Sequence, residues 1–535
     1  MTDIAPRADL ATHEVTNQPA PEARDLWASD PGFRHWAGVA GADGAALAEF
    51  GARAGAVEWQ VAARAANRHV PELRLFDRGG RRLDEVAFHP AYHRLMELGL
   101  SAGYAACAWD GGSHATHAGL VYAMSQVEPG TCCPMTMTYA AIPALGADPA
   151  LAARWHPKLT ARTYDGRSLP MADKTAATLG MAMTEKQGGS DLRTNTTVAE
   201  PDGEGWRLTG HKWFCSAPMS DGFLTLAQAP GGLTCFLVPR WTPDGERNAI
   251  QLMRLKDKLG NRANASAEIE YSRAWAERLG EEGQGVRSII RMVHHTRLDT
   301  ALAPAGLMRA ALAEALWWCE GRSAFQRRLI DQPLMRAVLA DLALDLEGAL
   351  ALGFHVARAF DADTPLARIG VALAKFLSNK RCPVVVAEAM ECLGGMGYVE
   401  DTPLPLLYRE APLNGIWEGS GNVICLDILR TLGRDGAAAD ALAAELDAAT
   451  GADRRYDAAL KAHRARWPGL PPEAEARLFA ERLAVLLTAS VLIRHGPAAV
   501  ADAHAATRLE PGRGLVPGAV TGLDAAALLA RLGRD

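Results

Sequence analysis

The sequence predicts an α+β protein that is mainly α-helical, with a small β domain between helical regions. Short apolar runs separated by Gly, Pro and Asp are confined to residues 175–280, whereas Ala-, Leu-, Glu- and Arg-rich segments precede them and Gly-poor segments follow. Strands and helices therefore occur in blocks instead of alternating, which is typical of α+β layering. At 535 residues the chain is too long for one core, so several domains are expected.

The N-terminal part is predicted as an arm followed by helices. We expect residues 1–40 to be extended, because Pro6, Pro19, Pro21 and Pro31 interrupt any steady period. Residues 41–174 are predicted to form a helical domain, interrupted by a turn at residues 77–80.

The β domain is predicted over residues 175–280. Its last apolar run alternates apolar and acidic residues, which is the period of two expected of a half-buried strand. The runs predicted as strands are Trp206–Thr209, Phe223–Ala227, Leu233–Val238 and Ala267–Tyr271.

Helices are predicted again from residue 281 to the end of the chain. Residues 281–434 would form one helical domain, in which Pro333 fits the first position of a long helix. Residues 435–535 are Ala- and Leu-rich and would form a C-terminal helical domain, with loops at Trp467–Pro472 and Glu510–Gly518.

Composition limits the function classes. The formal net charge of −6 gives no overall basic field that would attract nucleic acid or an anionic membrane. The nine cysteines lack metal-ligand spacing, so we expect buried free thiols and no metal site. The chain shows neither a signal peptide nor an apolar run long enough for a membrane span, so a cytoplasmic protein is expected.

Two blocks carry the candidate chemistry. Glu418 is a lone carboxylate in a Gly/Ser-rich turn beside Trp417, whose indole could desolvate it and raise its pKa towards that of a general base. An exposed loop carboxylate is the alternative. The second block, residues 183–191, reads MTEKQGGSD. No Gly-x-Gly-x-x-Gly follows a strand, so a Rossmann cofactor site is not expected.

These blocks resemble the acyl-CoA dehydrogenase family of flavoproteins, and more closely its AidB-like branch. The resemblance covers roughly residues 12–433 and implies an N-terminal helical domain, a central β-barrel domain and a four-helix bundle, here with a C-terminal helical extension. The motifs that carry it are Met183–Asp191, Gly210–Phe214, Pro243–Ile250, Leu255–Ser266, Gln332–Arg336 and Ile416–Asn422.

The resemblance implies an FAD site with Glu418 as the catalytic base. Residues of a neighbouring subunit contact FAD in the family, so a homotetramer is expected. Three positions depart from the family pattern: Phe214 stands where many members have Trp, Gln326 where Gly is usual, and Glu391 where Gln is common. The implied FAD-contacting residues are Met183, Thr184, Gly189, Ser190, Phe214, Ser216, Arg322, Phe325, Gly394, Gly395, Trp417, Gly419, Ser420 and Asn422.

The activity implied is α,β-dehydrogenation of a short branched acyl-CoA thioester, with isovaleryl-CoA as the leading candidate. Electron-transferring flavoprotein or another acceptor would then reoxidise the flavin. Arg297 resembles a family arginine near the active site, although a helix cap or a structural ion pair would explain it equally well.

A DNA-associated flavoprotein that protects double-stranded DNA against alkylating agents is the alternative function. Residues 436–535 hold 12 Lys+Arg and 12 Asp+Glu, so this region has no net positive charge. A cluster of cations around residues 454–466 is interleaved with acidic residues. A nitroalkane-oxidase-like activity is less favoured, because that branch has Asp at the position of Glu418.

Overall fold

The N-terminal region is a helical layer with one hairpin. The computed structural model describes residues 6–20, 22–510 and 513–533. The antiparallel strands β1 and β2 lie between the third and fourth helices. The elements are α1 (Pro31–Ala40), α2 (Gly44–Ala54), α3 (Val57–Arg68), β1 (Glu72–Phe76), β2 (Arg82–Ala87), α4 (Pro90–Ser101), α5 (His114–Val127), α6 (Pro129–Leu145) and α7 (Pro149–Leu159).

The prediction of an extended arm up to residue 40 was wrong at its end, because α1 begins at Pro31. Proline favours the first turn of a helix, where its missing N–H costs nothing. The Asp30 side chain caps this helix by accepting the Phe33 N–H at 2.9 Å, and it also forms an ion pair with buried Arg309 at 2.9 Å. Pro21 and residues 1–5 of the predicted arm lie outside the described residues.

The turn predicted at residues 77–80 is present, but the helices expected on its two sides were wrong. It joins β1 to β2, and the Asp77 side chain accepts the N–H groups of Gly79 and Arg81 at 2.8 and 2.9 Å. Leu73 and Leu75 pack against the core of the β domain. Burial of one face of β1 on that core explains why this segment forms a strand.

The β domain is a closed barrel. Strand pairing runs from β5 to β9, β7, β6 and β4 and returns to β5, with β3 added beside β6 and β8 beside β9. The four predicted runs lie within β5, β6, β7 and β9; the other three strands were not predicted. The strands are β3 (Leu179–Ala182), β4 (Val198–Asp202), β5 (Gly205–Ser216), β6 (Gly222–Ala229), β7 (Gly232–Pro239), β8 (Ile250–Leu255) and β9 (Ser266–Leu279).

Four long helices form the bundle that follows the barrel. α8, α9 and α10 pack on one another, α12 packs on α10, and α9 begins at Pro333 as predicted. A short hairpin, β10–β11, joins α8 to α9. The elements are α8 (Gly285–Gly321), β10 (Ser323–Ala324), β11 (Arg327–Arg328), α9 (Pro333–Asp361), α10 (Leu366–Cys392), α11 (Leu404–Glu410) and α12 (Gly421–Arg434).

The C-terminal region adds helices to the bundle. α15 packs against α9, α10 and α12, so its core is continuous with that of the bundle. Across the described ranges, no helix is long and apolar enough to cross a bilayer. All nine cysteines are buried and unpaired, as expected. The helices are α13 (Gly436–Asp447), α14 (Arg454–Arg466), α15 (Ala476–His495), α16 (Ala498–His504) and α17 (Ala525–Ala530).

Candidate active site

Glu418 lies in the short loop before α12, on a strained backbone. Its φ is +57°, and that of Gly419 is +104°. A non-glycine residue in the left-handed region costs on the order of 1–2 kcal/mol, so the surroundings must fix this conformation. Lys375 of α10 does so by donating to the carbonyl oxygens of Asn414 and Gly419 at 2.8 and 3.1 Å.

The bundle helix α8 contacts the same loop from the other side. Thr296 Oγ1 lies 2.6 Å from Glu418 Oε2, and Arg297 Nε donates to the Glu418 carbonyl oxygen at 3.2 Å. Arg297 is itself fixed by an ion pair with Asp427 at 2.7 Å. The sequence allowed Arg297 to be an active-site residue or to form a structural ion pair. In the structure, Arg297 forms the ion pair and also contacts the Glu418 loop.

The surroundings of Glu418 shift the pKa of its carboxyl group upwards. Burial raises its pKa above the usual value, while the Thr296 hydrogen bond and the charges of Lys375 and Arg297 oppose that shift. The direction is the one predicted from Trp417, whose indole N–H donates to Asn414 Oδ1 at 2.8 Å. Burial lowers the pKa of Lys375 to about 7, so this ammonium titrates near neutrality.

The predicted flavin-contacting segments lie side by side on the barrel. The Trp213 N–H donates to the Thr184 carbonyl oxygen at 2.7 Å, which joins residues 183–190 to the end of β5. Between them is a fully buried ion pair, Lys212 Nζ to Glu185 Oε1 at 2.7 Å. Burial alone would raise the pKa of Glu185, but the Lys212 ammonium lowers it to about 2.

The surface at this junction fits a flavin. Phe214 is 47% exposed, and Ser216 and Met183 are partly exposed, so the junction presents apolar side chains together with a hydroxyl that lies 3.1 Å from Ser266 Oγ. A Cβ added to Gly189 would approach the Thr184 side chain to 3.1 Å, so the absence of a side chain lets residue 189 lie close to Thr184. A planar aromatic ring that needs both stacking and hydrogen bonds matches this lining.

The end of β5 is joined to the β8–β9 loop and the start of β9 through polar side chains. Ser216 Oγ lies 3.1 Å from Ser266 Oγ, and Lys258 Nζ lies 3.1 Å from the same Ser266 oxygen. Burial raises the pKa of the Cys133 thiol to about 12, and the charges of Lys258 and Glu418 both act on it.

Four predicted FAD contacts lie far from Glu418 within one chain. Arg322 ends α8, roughly 37 Å along the helix from Arg297 at 1.5 Å per residue. Its guanidinium donates to the Asn17 carbonyl oxygen at 3.0 Å. Phe325 is 96% exposed at the tip of the β10–β11 hairpin, and Gly394 and Gly395 lie in a short helix after α10.

The departure at Gln326 has a structural consequence. Its φ is +63°, a conformation that glycine adopts without strain. The glycine usual at this position would relieve the hairpin tip, whereas Gln326 and Phe325 here both adopt positive φ.

The C-terminal region reaches the Glu418 loop, which the sequence did not indicate. Arg477 at the start of α15 donates to Asn422 Oδ1 at 2.9 Å, so the side-chain oxygen of Asn422 already accepts a hydrogen bond from the protein. Ser420 is exposed, and its side chain does not cap α12.

Several functional residues were missed from the sequence. Lys258, Lys212 and Glu185 lie within the motifs named above, but no role was predicted for them. Thr296 directly precedes Arg297 and also had no predicted role. Lys375 lies in an apolar helix, and no neighbouring residue in the sequence indicates its role. That role depends on the carbonyl oxygens of a loop far along the chain.

The charges of the C-terminal region are mostly compensated. Arg455 pairs with Asp453 and Asp502, Arg464 with Asp447, and Arg466 with Glu475. The interleaving of charges predicted for this cluster therefore produces ion pairs.

Three family models match successive parts of the chain. The N-terminal domain of the adaptive response protein AidB matches residues 17–166. The acyl-CoA dehydrogenase middle domain matches residues 180–274, and the acyl-CoA dehydrogenase C-terminal domain matches residues 283–433.

Curated relatives and solved structures extend this likeness. The AidB protein of Escherichia coli strain K12 is 47% identical over 464 residues, which cover 84% of this chain and 86% of that protein. Acyl-CoA dehydrogenase family member 11 of Caenorhabditis elegans is 32% identical over 410 residues, 72% of this chain and 66% of that protein. The crystal structure of Caenorhabditis elegans ACDH-11 in complex with C11-CoA superposes with a TM-score of 0.81 at 26% identity, covering 94% of this chain and 92% of that one.

The buried Glu185–Lys212 pair gives a stability prediction. Lys212→Met leaves an unpaired buried carboxylate and should destabilise the barrel by about 3–5 kcal/mol. The double variant Glu185→Gln with Lys212→Met should recover much of that loss. Thermal unfolding measures both, with exposed Asp191→Asn, which loses only a surface pair with Arg193, as the matched control. A double variant no more stable than Lys212→Met would contradict this account.

Proposed function

Because the chain belongs to the acyl-CoA dehydrogenase family, in its AidB-like branch, we propose that it dehydrogenates an acyl-CoA thioester at its α and β carbons, with Glu418 as the base. The environment of the Glu418 carboxylate supports this proposal most. The carboxylate is partly buried, its pKa is raised, and it lies within hydrogen-bond distance of the Thr296 hydroxyl. The family's cofactor, FAD, supplies when bound the acceptor for the hydride that leaves the β-carbon.

Thr296 can stabilise Glu418 in both of its protonation states. Its hydroxyl lies 2.6 Å from the carboxylate and 3.0 Å from the Val293 carbonyl oxygen. When Glu418 is ionised, its carboxylate accepts a hydrogen bond from the Thr296 hydroxyl. When Glu418 is protonated, its carboxyl group donates a hydrogen bond to Thr296, whose hydroxyl then donates to the Val293 carbonyl oxygen. A base that gains a proton in each turnover needs such a partner.

Residues of the barrel and of the Glu418 loop would hold the flavin. Thr184, Ser190 and Ser216 would donate hydrogen bonds, Phe214 would cover one face of the ring, and Ser420 would contact the cofactor from the loop. Arg322, Phe325, Gly394 and Gly395 would be contributed by a second copy of the chain. The exposure of Phe325 supports this part of the proposal, because large exposed apolar side chains favour contact with a partner. A homotetramer would supply such contacts.

The substrate that we favour is a short branched acyl-CoA such as isovaleryl-CoA. One turn beyond Thr296 on the same helix, buried Asp299 pairs with His117 at 2.7 Å and accepts hydrogen bonds from Tyr104 and Thr136. Both side chains of this pair are already buried, so the helix turn next to Thr296 is filled by paired polar groups, which supports a short acyl chain. An electron-transferring flavoprotein or another acceptor would complete the cycle.

Binding of double-stranded DNA, with protection against alkylation, is a second candidate. It is supported by the match to the adaptive response protein's N-terminal domain and by Arg454 and Lys461. Both side chains are exposed, and neither has a carboxylate partner within the described ranges. They would provide the local cations that phosphate contacts require.

The dehydrogenase proposal predicts rapid flavin bleaching by one thioester. The purified, FAD-loaded protein is mixed anaerobically with isovaleryl-CoA, straight-chain acyl-CoAs and C11-CoA, and flavin absorbance is followed. Glu418→Gln should slow bleaching by at least about 10³-fold, because it removes the proton acceptor while keeping the side-chain shape. The exposed Glu473→Gln is the control. Bleaching that is equally fast in Glu418→Gln would exclude Glu418 as the base.

Loss of the Thr296 hydroxyl should change the pH profile in a defined direction. Thr296→Val removes the hydrogen bond that favours the ionised carboxylate, so the pKa of Glu418 should rise further. The acidic limb of kcat/KM, which requires ionised Glu418, should therefore move to higher pH. Thr300→Val, which loses a bond only to the Arg297 carbonyl oxygen, should leave the limb in place. A limb shifted to lower pH in Thr296→Val would contradict the assignment.

Duplex binding tests the second candidate. With two uncompensated cations in the 454–466 cluster of each chain, log affinity for contact through this cluster should fall with log salt at a slope of about −2 per subunit. Arg454→Gln with Lys461→Gln should abolish this slope, whereas Arg466→Gln, whose charge is already paired, should change it little. No measurable duplex binding at low salt would exclude this function.

A further inference from the structure

Lys258 makes contacts that the proposed reaction does not yet use. It lies in the loop between β8 and β9, where its Nζ contacts the Asn264 carbonyl oxygen at 2.8 Å, Ser266 Oγ at 3.1 Å and Asn261 Oδ1 at 3.5 Å. An ammonium has three protons and no acceptor, so these contacts use all of its donors. Ser266 must therefore accept from Lys258.

The direction of the next hydrogen bond follows from the first. Ser266 is 5% exposed and is the register partner of Ser216 across β5 and β9, with the two hydroxyl oxygens 3.1 Å apart. Ser216 Oγ is the acceptor available to the Ser266 hydroxyl within the described part of the chain. When Ser266 donates to Ser216, the Ser216 proton points away from the pair.

We propose that Lys258 is a positioning residue that, through Ser266, orients the Ser216 hydroxyl as a donor towards the flavin. This inference rests on the proposed function, in which Ser216 meets the flavin edge. A donor fixed in that direction stabilises negative charge on the reduced ring and so raises the reduction potential. A neutral Lys258 amine could accept a hydrogen bond from Ser266. Ser216 could then donate to Ser266 instead of to the flavin, and the rise in reduction potential would be lost.

The charge state of Lys258 responds to its surroundings. Burial lowers its pKa to about 8, and the groups that act on it are Cys133 of α6, Glu410 of α11 and Glu128 before α6. Burial also raises the pKa of Glu128 to about 7, so a second group titrates in the same range. Protonated Lys258 prevails below pH 8, and the orienting effect should fade as the pH rises through that value.

The test is the reduction potential of the FAD-loaded full-length protein between pH 6.5 and 9.5. At pH 7, Lys258→Met and Ser266→Ala should each weaken relative binding of the reduced cofactor about tenfold, equivalent to about 30 mV in a two-electron couple. In the unsubstituted protein an additional fall should occur near pH 8, and it should be absent from Lys258→Met. Lys256→Met removes from the same loop an ammonium that pairs with Glu268, keeps the backbone bond of Lys256 to the Ser266 carbonyl oxygen, and should keep that fall.

Further variants separate the possible failures. Glu128→Gln should retain the fall near pH 8, which would show that Glu128 does not cause it. If Ser216→Ala lowers the potential but Lys258→Met and Ser266→Ala do not, the orienting role is refuted and the flavin placement stands. If Ser216→Ala has no effect either, the placement of the flavin is refuted as well. Ser266→Ala removes only one hydroxyl and decides the question even if Lys258→Met does not fold.

Discussion

The site depends on the left-handed backbone of Glu418 and on the cations that hold it. Lys375 from α10 and Arg297 from α8 bind three carbonyl oxygens of this loop, and charge-assisted hydrogen bonds of this kind offset the strain. The same two cations moderate the pKa that burial raises. Backbone geometry and acidity are thus set by one set of contacts.

The 37-residue helix α8 connects the parts of the molecule. Arg309 pairs with the cap of α1, Thr296 and Arg297 contact the Glu418 loop, and Arg322 ends the helix at the exposed hairpin. A rigid helix therefore fixes the candidate base relative to the N-terminal layer. It also places Arg322 roughly 37 Å along the helix from Arg297, which is why the proposed flavin contact of Arg322 requires a second copy of the chain.

Local patterns predicted much of this architecture. Alternation in Ala267–Tyr271 and the proline at 333 identified a strand and a helix start, because side-chain period and N-terminal capping are local properties. The β1–β2 hairpin and α1 were missed, because the first depends on packing against the barrel and Pro31 begins a helix instead of breaking one. Glu418 and the flavin segments came from motifs. Lys375 and Arg477 act across long sequence separations that no local period reveals, and the role proposed for Lys258 depends on the pairing of Ser266 with Ser216, 50 residues apart.

Proton exchange at the carbon beside the thioester carbonyl tests the central claim most directly. It reports on Glu418 alone, without electron transfer to any acceptor. A saturated acyl-CoA that bleaches poorly is incubated with the protein in D2O, and deuterium at that carbon is followed by NMR. We expect exchange with the unsubstituted protein and none above background with Glu418→Gln. Equal exchange in the two proteins, or none in either with a thioester shown to bind, would contradict a base at position 418.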